Sequence, residues 1–258
     1  MVSTRRVGLI ASLIIIAAAG AVTVAWFLAS SEPTVDTKGA ASLARDVQRL
    51  RVGLSRYTEA QAIAEKYGTR RFEHHYGLAN CPEDNFRLCA YVIPLPQTNN
   101  IRLRLPWARV DSGRSHGDVW IWIREQIVVG FDYRVFFRTT NGQWRGAGVE
   151  ADPDFFDPNQ KPHTPDVGYQ VVRHGFVFDD SRKGEGLHAR LTPTTSNEKH
   201  QTAWSFDFRC LDNKSGCTDV CELAPALWRD FREQDSAVQD DWVRDVERAC
   251  GTNRQQSH

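Results

Sequence analysis

The longest apolar run of the chain lies at its N-terminus. An uncharged, mostly apolar stretch extends from residue 7 to 29, directly after Arg5 and Arg6. A membrane-spanning helix needs about 20 such residues, whereas the apolar part of a cleaved signal peptide has about 7–15. Small residues around Ala19 and Ala21 leave cleavage open, but the apolar stretch continues beyond them. The pattern therefore predicts an uncleaved transmembrane anchor.

The charges that flank this run predict its orientation. Arg5 and Arg6 precede it, and the first charges after it are acidic. Because the basic side of a span usually stays in the cytoplasm, we expect a single-pass signal-anchor in the inner (plasma) membrane with a cytoplasmic N-terminus. Residues 1–30 form this stub and anchor, and residues 31–39 form a polar linker. The remaining domain, residues 40–258, is then expected in the periplasm or outside the cell.

A helical period follows the linker. Apolar residues recur at spacings of four and three before Gly68, at Leu43, Val47, Leu50, Leu54 and Tyr57. This spacing predicts an amphipathic helix over residues 40–68. Its apolar stripe can pack on its own domain or form a seam with a second helix. Gly53 interrupts such a seam, which favours packing on the domain.

Between residues 89 and 210 apolar and polar positions alternate. The alternating segments are IRLRL (101–105), FDYRVFFR (131–138), LHARL (187–191) and WSFDFRC (204–210). A period of two is typical of antiparallel strands with one buried face. VWIWI (119–123) is apolar on both faces and predicts a central strand, and Asn141-Gly142 predicts a tight hairpin turn.

The last segment, residues 222–250, returns to a helical period. A continuous helix over it would hold Cys221 and Cys250 about 40 Å apart, too far for a disulfide. Asp235 or Ser236 can serve as the N-cap of a second helix, with Gln239 three residues after Ser236 as in a capping box, which predicts a break. Two short helices then form a hairpin that Cys221 and Cys250 can close.

These patterns together predict an α+β fold. An N-terminal transmembrane helix precedes a mainly antiparallel β-sheet or sandwich, which is flanked by the amphipathic helix and by a C-terminal helical hairpin tied by disulfides. The eight Trp residues indicate a folded core. The 32 basic and 32 acidic residues balance, so the chain lacks the strongly basic character of nucleic-acid-binding proteins.

All six cysteines lie on the exported side: Cys81, Cys89, Cys210, Cys217, Cys221 and Cys250. An even number in an oxidising compartment predicts disulfides. We expect the pairs Cys81–Cys89, Cys210–Cys217 and Cys221–Cys250, out of fifteen possible connectivities. Zinc binding is disfavoured because six residues lie between Cys210 and Cys217 and three between Cys217 and Cys221, and these intervals do not match zinc motifs. No C-x-x-C redox pair is present, and no cofactor or metal is expected.

The polar phase of the strands is rich in arginine. Candidate binding residues are Arg102, Arg104, Arg134, Arg138, Arg190 and Arg209. If the strands are neighbours, these guanidinium groups form a surface that can grip carboxylates or phosphates bidentately. The alternatives are a solvated face on which acids such as Asp132 and Asp207 neutralise the arginines, or a face covered by the C-terminal helices.

Catalytic motifs are scarce, which favours a binding protein over an enzyme. No G-x-S-x-G turn is present, although His74, His75, His116, His174 and His188 are available beside many aspartates. The acidic loop with Asp152, Asp154 and Asp157 has oxygen ligands for Ca²⁺ but lacks the Gly and Glu of a calcium loop; a solvated loop is favoured.

The expected function is that of a membrane-anchored exported binding protein, of an inhibitor or immunity type. Its partner would be a protein or an anionic envelope component, and nucleic acid is not expected. Two alternatives stay open: an anchored hydrolase that uses a His/Asp site, and a structural subunit of an envelope complex.

Overall fold

The computed structural model describes residues 17, 19–21, 23, 34–69, 89–98, 115–139, 141–151, 168–179, 182–213 and 216–254. The strands in this part of the chain are β1 (Thr34–Val35), β2 (Cys89–Pro94), β3 (Gln97–Thr98), β4 (Ser115–Arg124), β5 (Ile127–Arg138), β6 (Trp144–Ala151), β7 (Tyr169–Asp179) and β8 (Arg182–Leu191). The helices are α1 (Thr37–Gln48), α2 (Tyr57–Tyr67), α3 (Asn197–Ala203), α4 (Arg209–Asp212), α5 (Val220–Leu223), α6 (Pro225–Gln234) and α7 (Asp241–Arg254).

The centre of the fold is a six-stranded sheet with the order β2-β4-β5-β6-β8-β7. Its neighbouring strands are antiparallel except β6 and β8, which run parallel. A separate two-stranded ribbon joins β1 to β3. The α+β class and the mainly antiparallel sheet predicted from the period of two are therefore confirmed, and the strands form one mixed sheet.

The Asn141-Gly142 pair makes the hairpin turn between β5 and β6. Gly142 has a φ of 87°, a conformation that glycine adopts without steric cost. The amide of Thr139 donates to the carbonyl of Gln143 over 2.8 Å, and the amide of Gly142 donates back to Thr139 over 2.9 Å. The predicted turn is confirmed.

The helices cover one face of the sheet. Apolar side chains at alternate strand positions are buried against them: Val119, Ile121, Phe131, Tyr133, Val135, Val149, Leu187 and Ala189. Tyr133 lies at the centre of this layer, where its hydroxyl donates to the carbonyl of Ala40 over 3.2 Å and its ring contacts Trp204 at 5.4 Å. We call this side the helix-covered face.

The amphipathic segment forms two helices instead of the single helix predicted over residues 40–68. The chain turns between α1 and α2, where Gly53 has a φ of 78°. The turn pairs with the β4–β5 hairpin: the amide of Gly53 donates to Val128 over 2.9 Å, and the amide of Val128 donates to Ser55 over 2.8 Å. These bonds to a distant hairpin replace the helical hydrogen bonds, so the single-helix prediction was wrong.

The prediction of a last strand over residues 204–210 was also wrong. The final strand ends at Leu191, and the chain then forms α3, a turn and α4. The alternating rings of Trp204 and Phe206 pack on Tyr133 at 5.4 and 5.7 Å. The alternating aromatic residues therefore reflect packing on Tyr133 from a turn, and not pairing with a neighbouring strand.

The C-terminal helices form the predicted hairpin. The chain leaves the helical conformation after α6 and begins α7 at Asp241. Asp240 receives the amide of Val243 on Oδ1 over 3.0 Å, so the new helix begins later than the predicted Ser236. Two disulfides tie this region as predicted, Cys210–Cys217 with a Cα separation of 4.7 Å and Cys221–Cys250 with 6.3 Å.

Several sequence features lie outside the described residues. They include most of the predicted anchor, Cys81 (the expected partner of the disulfide-bonded Cys89), the segment 101–105 and the acidic loop 152–166. The described positions between residues 17 and 23 are helical. Of the helices in the described part of the chain, none has the length and apolar character needed to span a bilayer.

Candidate functional site

The face of the sheet opposite the helices carries charged side chains. We call it the polar sheet face and define it by Asp118, Asp132, Arg134, Glu150, His174, His188 and Arg190. Strand register brings these residues together. Asp132 on β5 lies opposite Glu150 on β6, which lies opposite Arg190 on β8. One step along, Asp118, Arg134, Gly148 and His188 form a second row across β4, β5, β6 and β8.

Arg134 is held by a carboxylate beneath it. Its Nε and Nη2 both donate to Oδ2 of Asp132. Asp132 is only 2 % exposed, whereas the side chain of Arg134 keeps 35 % of its exposure. Burial would lower the pKa of Arg134, but the charge and hydrogen bonds of Asp132, with smaller contributions from Asp118 and Glu150, outweigh it and raise this pKa. The guanidinium is therefore a fixed cation.

The second carboxylate oxygen of Asp132 is different. Within the described part of the chain, Oδ1 of Asp132 is buried and receives no hydrogen bond. A buried acceptor without a donor costs free energy comparable to a lost hydrogen bond. Because this oxygen is closed to solvent, it can accept an N–H or O–H only from a buried water or from a ligand whose binding moves the neighbouring side chains.

Glu150 connects the two sides of the polar sheet face. Arg190 donates from Nε to Oε1 of Glu150 over 2.6 Å, and Nδ1 of His188 lies 3.9 Å from Oε2. Burial raises the pKa of Glu150, but His188 and Arg190 outweigh it and lower this pKa from 4.5 to about 2. Glu150 is therefore ionised at neutral pH and orients Arg190, whose side chain is 25 % exposed.

The two histidines of this face stack on each other. Their ring centroids are 5.1 Å apart with an interplanar angle of 17°. His188 is buried and His174 is exposed. Burial lowers the pKa of His174, and the neighbouring His188 and Arg134 lower it further, against the opposing charges of Glu150 and Asp132. We therefore expect a largely neutral His174 at neutral pH.

Glycines on β6 and β8 let rings lie directly on the sheet. A Cβ at Gly148 would lie 2.6 Å from Nε2 of His188 and 2.6 Å from the carbonyl oxygen of Tyr133. A Cβ at Gly184 would lie 2.3 Å from the ring of Phe176. The sequence signal for this layer is the pair of glycines at alternate positions in RGAGVE and KGEGLH. That signal predicts a face on which side chains lie flat, but not which ones.

The structure divides the six predicted arginines. Arg134 and Arg190 lie on the polar sheet face, and Arg138 lies at the end of β5, where its Nε donates to Gly142 over 3.0 Å. Arg209 lies on α4, exposed and bound to Asp207, so it is not part of the sheet. Arg102 and Arg104 are outside the described residues.

The candidate catalytic residues are also separated. His74, His75, Asp152, Asp154 and Asp157 lie outside the described residues. His116 lies on the same side of the sheet as the polar residues, against Phe136 at 5.4 Å and Trp144 at 5.1 Å. The sequence did not identify Asp132 and Glu150 as site residues, because an acid beside an arginine on a strand is common on solvated faces.

Comparison with known proteins gives no relative. Neither a protein-family model, nor a curated protein, nor a solved structure matches this chain. Its function must therefore be inferred from the side chains of the polar sheet face.

The polar sheet face offers hydrogen-bond donors at its surface and one acceptor below. A guanidinium has five N–H donors. Arg190 uses only Nε, and Arg134 uses Nε and Nη2, in hydrogen bonds to described residues. The remaining donors can bind a carboxylate or phosphate. Among the described residues, no group of three or more His, Cys, Asp or Glu side chains could hold a metal ion.

Grooves formed by described residues lie elsewhere. One of about 690 Å³ runs beside the Cys221–Cys250 disulfide and is lined by Trp228 and Glu247. Another of about 280 Å³ lies between α1 and α2. Neither contains residues of the polar sheet face, and in the second groove Arg49 and Lys66 both pair with Asp46.

Proposed function

We propose that this chain is an exported binding protein, tethered to the membrane by residues 7–29, that holds its ligand on the polar sheet face. One observation carries the proposal: the buried carboxylate of Asp132 and the partly buried carboxylate of Glu150 fix Arg134 and Arg190 while leaving outer N–H groups of both arginines for a ligand. Burying Asp132 and Glu150 costs desolvation energy that their ion pairs do not necessarily recover. Perturbed charged groups of this kind cluster at functional sites.

The chemistry of the polar sheet face favours a protein ligand. A carboxylate from an acidic side chain satisfies the free N–H groups of Arg134 or Arg190. A backbone amide of the same partner satisfies Oδ1 of Asp132 if binding moves the side chains that cover this oxygen. An anionic envelope component that carries phosphate groups is the second candidate, because it also satisfies the guanidinium groups. A tethered protein that holds one partner in this way fits an inhibitor or immunity-type role.

Export is supported by the disulfides. Cys210–Cys217 and Cys221–Cys250 are both formed, and stable disulfides are typical of oxidising compartments. Treating intact cells with a membrane-impermeant protease tests this part of the proposal. We expect the domain to be digested once the outer permeability barrier is opened, and a domain protected until the inner membrane is lysed would contradict export.

Comparative affinity capture tests the ligand site. The full chain, solubilised from its own membranes, is compared with a variant in which Arg134→Gln and Arg190→Gln are combined. A matched control combines Arg209→Gln and Arg229→Gln, which removes the same charge from exposed side chains on α4 and α6. We expect specific partners, identified by mass spectrometry, to be lost at least tenfold only with the first variant. Equal recovery by both variants would contradict the proposal.

The alternative functions have less support from the described residues. A hydrolase would need a nucleophile beside the His188–Glu150 pair, and no hydrogen bond between described residues joins His188 to a hydroxyl or thiol. A structural subunit would use the apolar stripe of α1, but Leu43, Val47 and Leu50 are buried in the domain itself.

A further inference from the structure

Helix α1 exposes a line of basic side chains, which we call the basic stripe. It consists of Lys38, Arg45 and Arg49, which are all exposed. At 3.6 residues per turn these positions lie within about 40° of one another around the helix, along about 17 Å of its length. The buried face of α1, with Leu43 and Val47, points the opposite way. The stripe is therefore directed away from the domain.

Two neighbouring loops with exposed apolar side chains follow the C-terminal end of the basic stripe, and we call them the tip. The tip comprises residues 51–56 and 124–127. Leu54 is 71 % exposed and Ile127 is 36 % exposed, and they are the large apolar side chains with the greatest exposure in the described part of the chain. Backbone hydrogen bonds join the two loops, including that from the amide of Tyr57 to Gln126 over 2.8 Å. Exposed arginines at positions 51, 56 and 124 surround the two apolar side chains.

Two acids near these cations, Asp46 and Glu59, are already hydrogen-bonded, whereas most of the cations make no ion pair with a described residue. Asp46 receives Lys66 over 2.7 Å and the hydroxyl of Tyr67 over 2.8 Å. Glu59 receives the amide of Arg56 and the hydroxyl of Ser55. In contrast, the side chains of Lys38, Arg45, Arg51 and Arg56 make no ion pair with an acid in the described part of the chain. Asp46 also pairs with Arg49, and Glu125 adds one exposed carboxylate at the tip, so the surface keeps an excess of positive charge that these acids do not balance.

We infer that the basic stripe and the tip together lie against an anionic lipid surface, with Leu54 and Ile127 inserted at the headgroup level. Basic side chains beside a membrane are attracted to anionic headgroups, and a few apolar side chains on the same surface add shallow insertion. Two apolar side chains are too few for a specific protein interface, which buries roughly 1,000 Å² or more. This contact does not depend on the ligand of the polar sheet face.

The contact also defines an orientation. β1 hydrogen-bonds to Ser115 at the start of β4, whereas the tip lies at the other end of that strand. A ten-residue strand spans about 33 Å. If both the linker before β1 and the tip are at the bilayer, β4 lies roughly parallel to the membrane plane. The polar sheet face is then held at a fixed angle to the membrane.

Amide hydrogen exchange of the full chain in nanodiscs tests this inference. The chain is compared in phosphatidylcholine alone and in phosphatidylcholine with phosphatidylglycerol. We expect exchange of residues 51–56 and 124–128 to slow by roughly fivefold or more when the anionic lipid is present. High salt should reverse the effect because exposed charges are screened. Equal exchange in the two lipids would overturn the inference.

Two variants with matched charge locate the contact. One combines Lys38→Gln, Arg45→Gln and Arg49→Gln; the other combines Arg229→Gln, Arg244→Gln and Arg248→Gln on α6 and α7, where all three side chains are exposed. Only the first should abolish the slowing. Leu54→Ser should reduce it in residues 124–128. Loss with the control variant would show that net charge alone is responsible and would overturn the inference. Unchanged exchange in the parts of β4 and β5 away from the tip, residues 116–122 and 130–137, confirms that each variant is folded.

Discussion

Arg145 donates its Nε–H to both carboxylate oxygens of Asp219, over 3.1 Å to Oδ1 and 3.4 Å to Oδ2. Both side chains are buried. Arg145 belongs to β6, and Asp219 directly precedes α5, whose first amide, from Val220, donates to Oδ1 over 2.7 Å. Burial raises the pKa of Asp219 although Arg145 and Val220 act to lower it. The pair joins the sheet to the C-terminal helices.

Replacing Arg145→Met is therefore expected to lower the free energy of unfolding by about 3–5 kcal/mol, because it leaves a buried carboxylate without its cation. Arg173→Met is the control. Arg173 also lies against Trp242, at 4.7 Å from its ring, but its partners Glu185 and Asp240 are partly exposed. We expect Arg173→Met to lower the free energy of unfolding by about 1 kcal/mol. Urea unfolding without reductant measures both, and similar costs would contradict a dominant role for the buried pair.

Gly148→Ala is expected to disturb the stacked histidines. The added methyl group would meet Nε2 of His188 at 2.6 Å and the backbone of Tyr133, so the ring must move. Overpacking of this kind costs about 1–3 kcal/mol. Gly175→Ala on β7 is the matched control, since a Cβ there meets nothing within 4 Å. Chemical shifts of the His188 ring should change only in Gly148→Ala; unchanged shifts would contradict the close contact.

The parts of the fold that local patterns determine could be predicted from the sequence. The alternation in β5 follows from one buried face, and the Asn141-Gly142 turn follows from the backbone conformation that glycine permits. The break in the C-terminal hairpin followed from the distance between Cys221 and Cys250. Each of these depends on residues close in sequence or on a single covalent constraint.

The parts of the fold that depend on partners distant in sequence could not be predicted. The helix predicted over residues 40–68 is broken because the turn around Gly53 hydrogen-bonds to Val128. The sequence near Gly53 contains no signal that predicts this partner. The aromatic residues Trp204 and Phe206 have the alternating spacing of a strand, but in the structure they lie in a turn. The polar sheet face depends on register between β5, β6 and β8, which places Asp132 beside Glu150.

Glu150→Gln is expected to remove a pH-dependent part of the stability. The pKa of Glu150 is about 2 in the folded protein and 4.5 when unperturbed. Because the folded pKa is the lower one, ionised Glu150 stabilises the protein above pH 4.5, and this contribution disappears as the pH falls from 4.5 towards 2. The shift corresponds to about 3 kcal/mol.

The measurement is the free energy of unfolding of both proteins from neutral pH to pH 2. The wild type should be more stable by about 3 kcal/mol at neutral pH, and the difference should shrink to zero at the acidic end. Glu233→Gln, at an exposed position of α6, should change stability by less than about 0.5 kcal/mol throughout. A difference that stays constant with pH would contradict the link to ionisation.

The Cys221–Cys250 disulfide closes a long loop, with a sequence separation of 29. Loop-closure entropy predicts that replacing both residues by alanine lowers the free energy of unfolding by about 3–4 kcal/mol. The folded hairpin itself should persist, because Leu227, Phe231 and Val246 remain buried in the core. Urea unfolding measures the loss, and circular dichroism checks the helices. A loss below about 1 kcal/mol would show that helix packing alone constrains these ends.

The loop between β4 and β5 has an unfavourable sequence for its shape. Glu125 and Gln126 have φ values of 50° and 67°, as both residues of a type I′ hairpin loop require, and Asn-Gly is the preferred pair there. Combining Glu125→Asn with Gln126→Gly should therefore raise the free energy of unfolding by about 1 kcal/mol. The same pair introduced at Gln61 and Ala62, inside helix α2, should lower it, since glycine is unfavourable within a helix. A destabilising effect in the β4–β5 loop would mean that the side chains of Glu125 and Gln126 stabilise the tip more than their backbone conformation costs.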